Sequence, residues 1–440
     1  MKKLLCIGLI VALAVTAMVS LVSCANKFEP DAKVVEAIKD AETLSHDELF
    51  KKAADELGAK GQLRILATTS RGGKDTVKNL FISELQKHNS AITANALKYD
   101  TTVDGQIYTT LQGEIEAGVQ NYCGMVTQDG YQLQTKGLDT GYYLNYVPKT
   151  WKEAQGVDLT ASNPFALQYN FKTWMYNNKG KPDMVIDNVW DVTDSQYKGK
   201  IFTMDPRNEN VNMDWLVQLT TDEQNAALKA AWEDASKTTD LKLTDYEKYG
   251  EKKYAYAFIG KFIENAVFYG DDGEAMTNLA KTPGAIGWIV YSKIMKVEES
   301  GDISKSNIVI AALGKDNSKD APTASAIKGF AGFMYKHYLQ VMPNCKYPYA
   351  TCAFFELIST NATAYSVWAG DPGDYPTLPS INKDRTQGGY VEGVNTYPAL
   401  NDPSSTWWIN TGKAVVENPA VIASNYKTLQ PFLLSAIANK

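Results

Sequence analysis

Along most of the chain, hydrophobic and polar positions follow two patterns, one typical of strands and one typical of helices. A short apolar run, LRILATT from Leu63, is followed by the turn SRGGK and then by the helix-like segment DTVKNLFISELQKH. A similar alternation recurs in the helix-like IYTTLQGEIEAG, the strand-like NYCGMVTQDG and the helix-like YQLQTKG. Strands that alternate with helices predict an α/β fold with mostly parallel sheets, in which ligands bind where strands end and loops begin.

Other segments extend this pattern in both directions. We interpret GAIGWIVYSKIM as a strand leading into a helix, SNIVIAALG as a strand, and IKGFAGFMYKHYLQ and TCAFFELIST as helices. Residues 26–60 place apolar side chains at steps of three and four, which predicts two amphipathic helices. These helices would form either a spacer above a membrane or a layer docked on the first lobe, and their apolar face favours docking.

The N-terminus is typical of an export signal. Two lysines precede an apolar run from Leu4 to Val19, and a small residue stands before Cys24. The run is short for a membrane span of about 20 residues, and the residues before the cysteine resemble a bacterial lipoprotein-processing site. We therefore expect cleavage after residue 23 and a lipidated Cys24 that holds an extracytoplasmic domain on a bacterial membrane. An uncleaved anchor helix with an incidental cysteine is the alternative.

Size, charge and cysteine content narrow the function classes. The 440 residues exceed the roughly 250–300 that one hydrophobic core usually organises, so two lobes and a cleft are expected. The chain has 44 basic and 50 acidic residues and no basic cluster, which argues against a nucleic-acid partner. Its three histidines show no metal-ligand spacing. Cys345 and Cys352 are close enough in sequence for either a local disulfide or two buried thiols.

A mid-chain segment, WDVTDSQYKGKIFTMDP from Trp190 to Pro206, carries a tryptophan, a Lys-Gly-Lys turn and a strand that stops at Asp-Pro. Together with the leader and the β-loop-α start at Leu63, it resembles the extracellular substrate-binding proteins of ABC importers, above all the ferric-iron-binding group. NFKTWMYNN, GAIGWIVYS and YPYATCAFFELIST fall in the same order as in that family, and the resemblance covers roughly residues 60–370. It implies the two-lobed type II periplasmic-binding-protein fold, with a hinge and an interlobe cleft.

The resemblance also implies an organisation of the chain and a set of partners. We expect a signal peptide at 1–23, a lipid anchor and helical spacer at 24–60, lobe 1 at 61–168 plus 303–440, and lobe 2 at 169–302. The partners would be an ABC permease with its ATPase subunits and a small-molecule or metal ligand, with contact to the membrane through the lipid alone. No cofactor is expected, although ferric iron could be the transported ligand.

Two candidate binding loops belong to the first lobe. Thr69, Ser70 and Arg71 follow the first strand, where hydroxyls, glycines and helix N-terminal amides suit an anion or an oxygen-rich ligand. An ordinary glycine turn would explain the same residues. Gln128 and Asp129 end the strand NYCGMVT, and Asp129 would be either a ligand for a cation or a loop cap.

The second lobe offers two further candidate loops. Asn208 and Asn210 lie just beyond a strand end, and their amides offer hydrogen bonds without charge. The resemblance places Trp288 and Tyr291 where the ferric-binding relatives carry paired tyrosines, whose phenolates suit a hard trivalent cation. Here Tyr291 is followed by a serine, so the tandem pair is absent and metal ligation by Tyr291 is weakened. Trp288 would alternatively be a core aromatic.

These features predict a non-catalytic, lipid-anchored receptor that captures ferric iron or an iron chelate in the cleft and delivers it to a permease. A small organic or phosphorylated anion or a sugar is the alternative solute. A secreted α/β hydrolase is the competing class, but the chain has no nucleophile elbow, no HExxH motif and no usable histidine–acid pair. A sensor domain that hands its ligand to no importer is the third possibility.

Overall fold

The computed structural model describes residues 28–119, 121–296, 307–314, 327–368, 373–378, 380–381, 405–410 and 414–440. The predicted signal peptide and the predicted lipidation at Cys24 lie outside the described residues. Within them, no helix has both the length and the apolar composition needed to cross a membrane.

The described strands form one mixed sheet, whose main path runs β2-β1-β3-β9-β4-β7-β5-β6. Strands β8 and β10 pair with β4, and β11 pairs with β9. The strands are β1 (Leu63–Ala67), β2 (Leu97–Thr101), β3 (Gly124–Thr127), β4 (Ala166–Asn177), β5 (Ile201–Met204), β6 (Ala266–Tyr269), β7 (Ile286–Val290), β8 (Ile308–Ile310), β9 (Gly332–Val341), β10 (Asp374–Pro376) and β11 (Ala414–Val416).

Helices flank this sheet and connect its strands, as an α/β pattern requires. The predicted helix DTVKNLFISELQKH and the predicted helix TCAFFELIST are both confirmed. The helices are α1 (Ala32–Ala41), α2 (His46–Leu57), α3 (Asp75–Gln86), α4 (Asp104–Glu116), α5 (Gly130–Gln132), α6 (Lys149–Lys152), α7 (Asn210–Gln218), α8 (Asp222–Glu233), α9 (Lys253–Asn265), α10 (Asp272–Lys281), α11 (Pro348–Thr360), α12 (Ala362–Tyr365), α13 (Ser405–Asn410) and α14 (Pro419–Ala438).

Strands β4 and β9 are the longest in the sheet and pair antiparallel over most of their length, from Gln168 opposite His337 to Thr173 opposite Gly332. Every residue of both strands is buried. The helix predicted for IKGFAGFMYKHYLQ is therefore wrong, because its second half is β9. A strand that is buried on both faces loses the alternation of apolar and polar residues by which strands are recognised.

The two amphipathic helices predicted near the N-terminus are present as α1 and α2, and both pack against α11. Ser45 and Glu48 form a capping box at the start of α2. The Nδ1 atom of His46 lies 2.8 Å from a carboxylate oxygen of Glu356 on α11. This part of residues 24–60 is thus a docked helical layer on the lobe that contains α11.

A cluster of tryptophans fills the core beside β7. The ring centroid of Trp288 lies 4.0 Å from that of Trp215 and 4.5 Å from that of Trp174. All three side chains are fully buried. The structure therefore assigns the Trp288 ring to the core and not to a ligand groove, because it points to the interior from the middle of a strand.

The cysteines that the structure describes are free and buried, and they are Cys123, Cys345 and Cys352. The Sγ atom of Cys345 lies 3.3 Å from the hydroxyl of Thr351. Of the two alternatives for Cys345 and Cys352, the structure has the pair of buried thiols.

Candidate functional site

The pairing pattern divides the described sheet into two lobes that are joined by β4 and β9. In the first lobe, β3 pairs with the C-terminal half of β9, with Gly124 opposite Val341. In the second lobe, β7 pairs with the C-terminal half of β4, and β11 pairs with the N-terminal half of β9. We call β4 and β9 the hinge strands, because within the described sheet they continue from one lobe into the other.

One face of the hinge strands is polar. Residues that oppose each other in an antiparallel pair share a face, so Gln168, Asn170 and Lys172 of β4 lie beside Tyr335 and His337 of β9. The Gln168 amide donates to the Asn170 Oδ1 atom at 2.7 Å, and the Asn170 amide donates to Asp374 at the start of β10. This polar face thus lies on the two strands that join the lobes.

The loop after β1 reaches this face through Arg71, whose Nη1 atom donates to Asp374 Oδ2 at 2.6 Å. The neighbouring Gly72 lies on the ring of Tyr99, so close that an added Cβ would be 2.5 Å from Cε2. Only glycine fits there, which fixes the path of the loop. Thr69 accepts a hydrogen bond from the Arg71 backbone at 3.3 Å, whereas the Ser70 side chain is exposed.

The loop after β3 contacts both the hinge and the second lobe. The Gln128 Oε1 atom lies 2.8 Å from Nε2 of His337. Asp129 accepts from the backbone N–H of Gln132 at 2.8 Å and also receives a hydrogen bond from the Asn210 amide of the second lobe. Asp129 thus caps α5, as one of its two sequence interpretations requires, and also bridges the lobes.

The loop after β5 contributes a residue that sequence reasoning missed. Asn208 is exposed, whereas the next residue, Glu209, is buried and accepts from Lys172 Nζ at 2.6 and 2.7 Å. The same Lys172 ammonium lies 3.2 Å from Asp272 Oδ2 at the start of α10. A lysine within a strand that has no other charged residue was the signal for this buried ionic cluster, because a buried ammonium requires carboxylate partners.

The loop after β7 brings Tyr291 to the other side of the hinge. Tyr291 is fully buried and packs on Gly373, where an added Cβ would be 2.8 Å from Tyr291 Cβ. Gly373 also has a φ of 78°, so both the contact with Tyr291 and the backbone conformation favour glycine at this position.

The four loops predicted to border the groove therefore converge on the hinge strands. Metal ligation by Tyr291 stays a prediction. No set of three His, Cys, Asp or Glu side chains able to hold a metal ion occurs in the described ranges.

Two buried carboxyl groups lie beside the middle of β9, between the residues that pair with β11 and those that pair with β3. Asp214 of α7 accepts from the backbone N–H groups of Gly130 and Tyr131 at 3.1 and 3.2 Å, which joins the second lobe to the first. Glu417 accepts from the Lys336 backbone at 3.0 Å and from the Tyr338 hydroxyl at 2.5 Å. Burial raises the pKa of Glu417 to about 7 and that of Asp214 well above its usual value, and the charge of Asp129 adds to both.

No protein-family model matches the chain, and a search of curated proteins found no relative. Solved structures do match. Iron-bound HitA from Pseudomonas aeruginosa aligns with a TM-score of 0.52 and 11% identity over 85% of this chain and 99% of HitA. The ferric binding protein from Campylobacter jejuni gives 0.51 and 12% over 85% and 99%. The periplasmic binding protein AttC from Agrobacterium tumefaciens C58, in an open unliganded form, gives 0.53 and 11% over 86% and 99%.

This likeness shows that the chain has the two-lobed α/β fold of the type II periplasmic binding proteins, as its sequence predicted.

The raised pKa of Glu417 makes a prediction about stability. Between about pH 4.5 and 7 the folded chain holds a proton on Glu417 that the unfolded chain has released, so this group lowers the free energy of unfolding as pH rises. Glu417→Gln removes the effect. We expect the free energy of unfolding of the variant, relative to that of the wild type, to rise by up to about 1.4 kcal/mol for each pH unit across this window.

Urea denaturation at several pH values measures this difference. Glu233→Gln, which changes an exposed glutamate on α8, is the matched control and should give a difference that does not vary with pH. If the free energies of unfolding of Glu417→Gln and of the wild type differed by the same amount at every pH, Glu417 would be ionised in the folded chain across this window.

Proposed function

We propose that this protein is the solute-binding receptor of an ABC importer, and that it captures a small solute between its lobes. The observation that carries the proposal is the polar face of the hinge strands, to which both lobes contribute side chains: Arg71 and Gln128 from the first, Glu209 and Asp272 from the second. Bending at two shared strands would open and close the cleft, and a solute that contacts both lobes favours the closed form.

Delivery to a permease and attachment to a membrane complete the proposal. The leader and Cys24 support a lipid-anchored position outside the cytoplasm. A receptor held at the membrane surface is concentrated beside the permease and its ATPase subunits, so that closure of the lobes can serve as the signal for transfer.

For the solute, the proposal is ferric iron or an iron chelate, since HitA was solved in an iron-bound form and the Campylobacter protein is a ferric binding protein. In this chain a ferric ion would depend on Tyr291 and on oxygen atoms carried by a chelator, because the neighbouring tyrosine of the tandem pair is replaced by Ser292. The alternative from the sequence is a small organic or phosphorylated anion or a sugar.

The receptor role is tested with a thermal-unfolding panel of ferric salts, ferric chelates, sugars, phosphorylated sugars and amines. A solute at about one hundred times its dissociation constant should add roughly 2.7 kcal/mol to the free energy of unfolding. Arg71→Ala in the first lobe and Asn210→Ala in the second should each weaken that stabilisation, because the solute contacts both lobes. Stabilisation by no member of the panel would contradict the receptor role.

Iron ligation is tested separately with Tyr291→Phe. If the Tyr291 phenolate binds ferric ion, the wild type should take on a visible charge-transfer colour after ferric loading, and the variant should lose that colour and most of its affinity. The ring remains in the variant, so packing on Gly373 is preserved. A colourless wild type with an unchanged melting temperature would exclude direct iron binding and leave the organic solute.

Lipidation is tested at Cys24. Mass spectrometry of the mature protein should find an N-terminal cysteine that carries acyl chains, and Cys24→Ser should abolish both processing and membrane attachment. An intact Met1, or a processed and membrane-bound Cys24→Ser protein, would show that the leader is an uncleaved anchor or an ordinary signal peptide.

A further inference from the structure

Three polar groups along the hinge lack a hydrogen-bond partner among the residues that the structure describes. Two of them, Oδ1 of Asp272 and Nδ1 of His337, are buried atoms, and the third is the hydroxyl of Tyr335. The three residues are 4%, 5% and 5% exposed. A buried polar atom without a partner costs on the order of 1–3 kcal/mol, so the two atoms at Asp272 and His337 indicate positions that a ligand completes.

These groups are spread out along the hinge. The rings of Phe333, Tyr335 and His337 project from the same face of β9, with 6.5 Å between neighbouring centroids. Asp272 lies at the Phe333 end, because it contacts Lys172, which is opposite Phe333 in the sheet. The two ends are therefore about 13 Å apart, two strand steps of roughly 6.6 Å each. A single ion, whose ligands lie within about 2.6 Å, cannot satisfy both ends.

The end at His337 requires a neutral hydrogen-bond donor. His337 donates through Nε2 to Gln128 Oε1, so its Nδ1 atom is an acceptor. Burial and the positive charge of Arg71 lower the pKa of His337 to about 3, so the ring stays neutral. The same Arg71 charge disfavours a cation here, which leaves a hydroxyl or an amide N–H as the group that fits.

The end at Asp272 suits a cation. Burial, and then the negative charges of Asp272, Asp374 and Glu209, raise the pKa of Tyr335 well above its usual value, and Arg71 alone acts against them. The local potential at the Tyr335 hydroxyl is therefore negative. A protonated amine would donate to Asp272 Oδ1 and to the Tyr335 oxygen. The carboxylates of Asp272, Asp374 and Glu209, set against the cations of Lys172 and Arg71, leave one negative charge that would compensate it.

We infer that the cleft takes an elongated organic solute with a protonated amine at the Asp272 end and a neutral hydrogen-bond donor at the His337 end. The inference rests on the proposed receptor role and names the class of its solute. Neither a bare ferric ion nor a dianion has this combination of length, charge and donors.

Isothermal titration with six-carbon probes tests the solute class. Aminohexanol carries both required groups, hexanediol lacks the charge, and diaminohexane places a second cation beside Arg71. We expect aminohexanol to bind at least about tenfold more tightly than hexanediol, since a hydrogen bond to a charged group is stronger than a neutral one. Diaminohexane should also bind more weakly than aminohexanol.

Two variants locate the groups in the cleft. Tyr335→Phe removes a hydroxyl for which the described residues provide no hydrogen-bond partner, so the melting temperature should stay the same while the affinity for aminohexanol falls about fivefold. Asp272→Asn should abolish the preference for aminohexanol over hexanediol. Asp245→Asn changes an exposed aspartate of the second lobe and should leave every affinity unchanged.

The outcomes separate this inference from the receptor role. Equal affinities for aminohexanol and hexanediol, or an unchanged affinity in Tyr335→Phe, would overturn the inference. Binding of ferric citrate with no binding of the amine would overturn it too, but would leave the receptor role intact. The receptor role itself fails only if the wider panel also gives no stabilisation.

Discussion

The antiparallel pairing of β4 with β9 is the constraint on which the rest of the structure depends. These strands carry the chain through both lobes, and every other pairing of the sheet is made on one side of the cleft or the other. Their backbone hydrogen bonds hold two separately packed lobes in a fixed register. Because neighbouring strands stop near the cleft, the loops after β1, β3, β5 and β7 all end beside the same few residues of the hinge.

Charge inside this junction explains much of its construction. Lys172 is fully buried, and an unpaired ammonium there would cost several kcal/mol, so Glu209 and Asp272 must accompany it. Asp214 and Glu417 lie on the opposite flank of β9, and burial favours their protonated forms. One side of the hinge is thus an ionic cluster, and the other holds two carboxyl groups whose pKa values are raised by burial.

Sequence patterns predicted those parts of the fold whose residues repeat with a clear period. Strand β1, helix α3 and helix α11 have short apolar runs or amphipathic faces that depend on local sequence alone. Strand β9 was mistaken for a helix because burial on both faces removed its alternation. The same distinction holds for the site. The sequence predicted Arg71, Gln128 and Asp129 as candidates because they follow strand ends. It did not predict Asp272 and Tyr335, because these residues acquire their positions only through pairing and packing between distant segments.

The hinge also explains how this fold can persist at 11% identity to HitA without fixing the solute. The β4–β9 ladder is built from backbone groups, which any residue except proline supplies, so side chains on its polar face can change without loss of the pairing. Asn170, Lys172, Tyr335 and His337 occupy that face here. Substitutions at such positions alter charge and hydrogen bonding in the cleft while the lobes and their hinge stay in place. In the receptor role proposed above, the fold would define where a solute binds, and the side chains on one face of two strands, with the loops beside them, would define which solute it is.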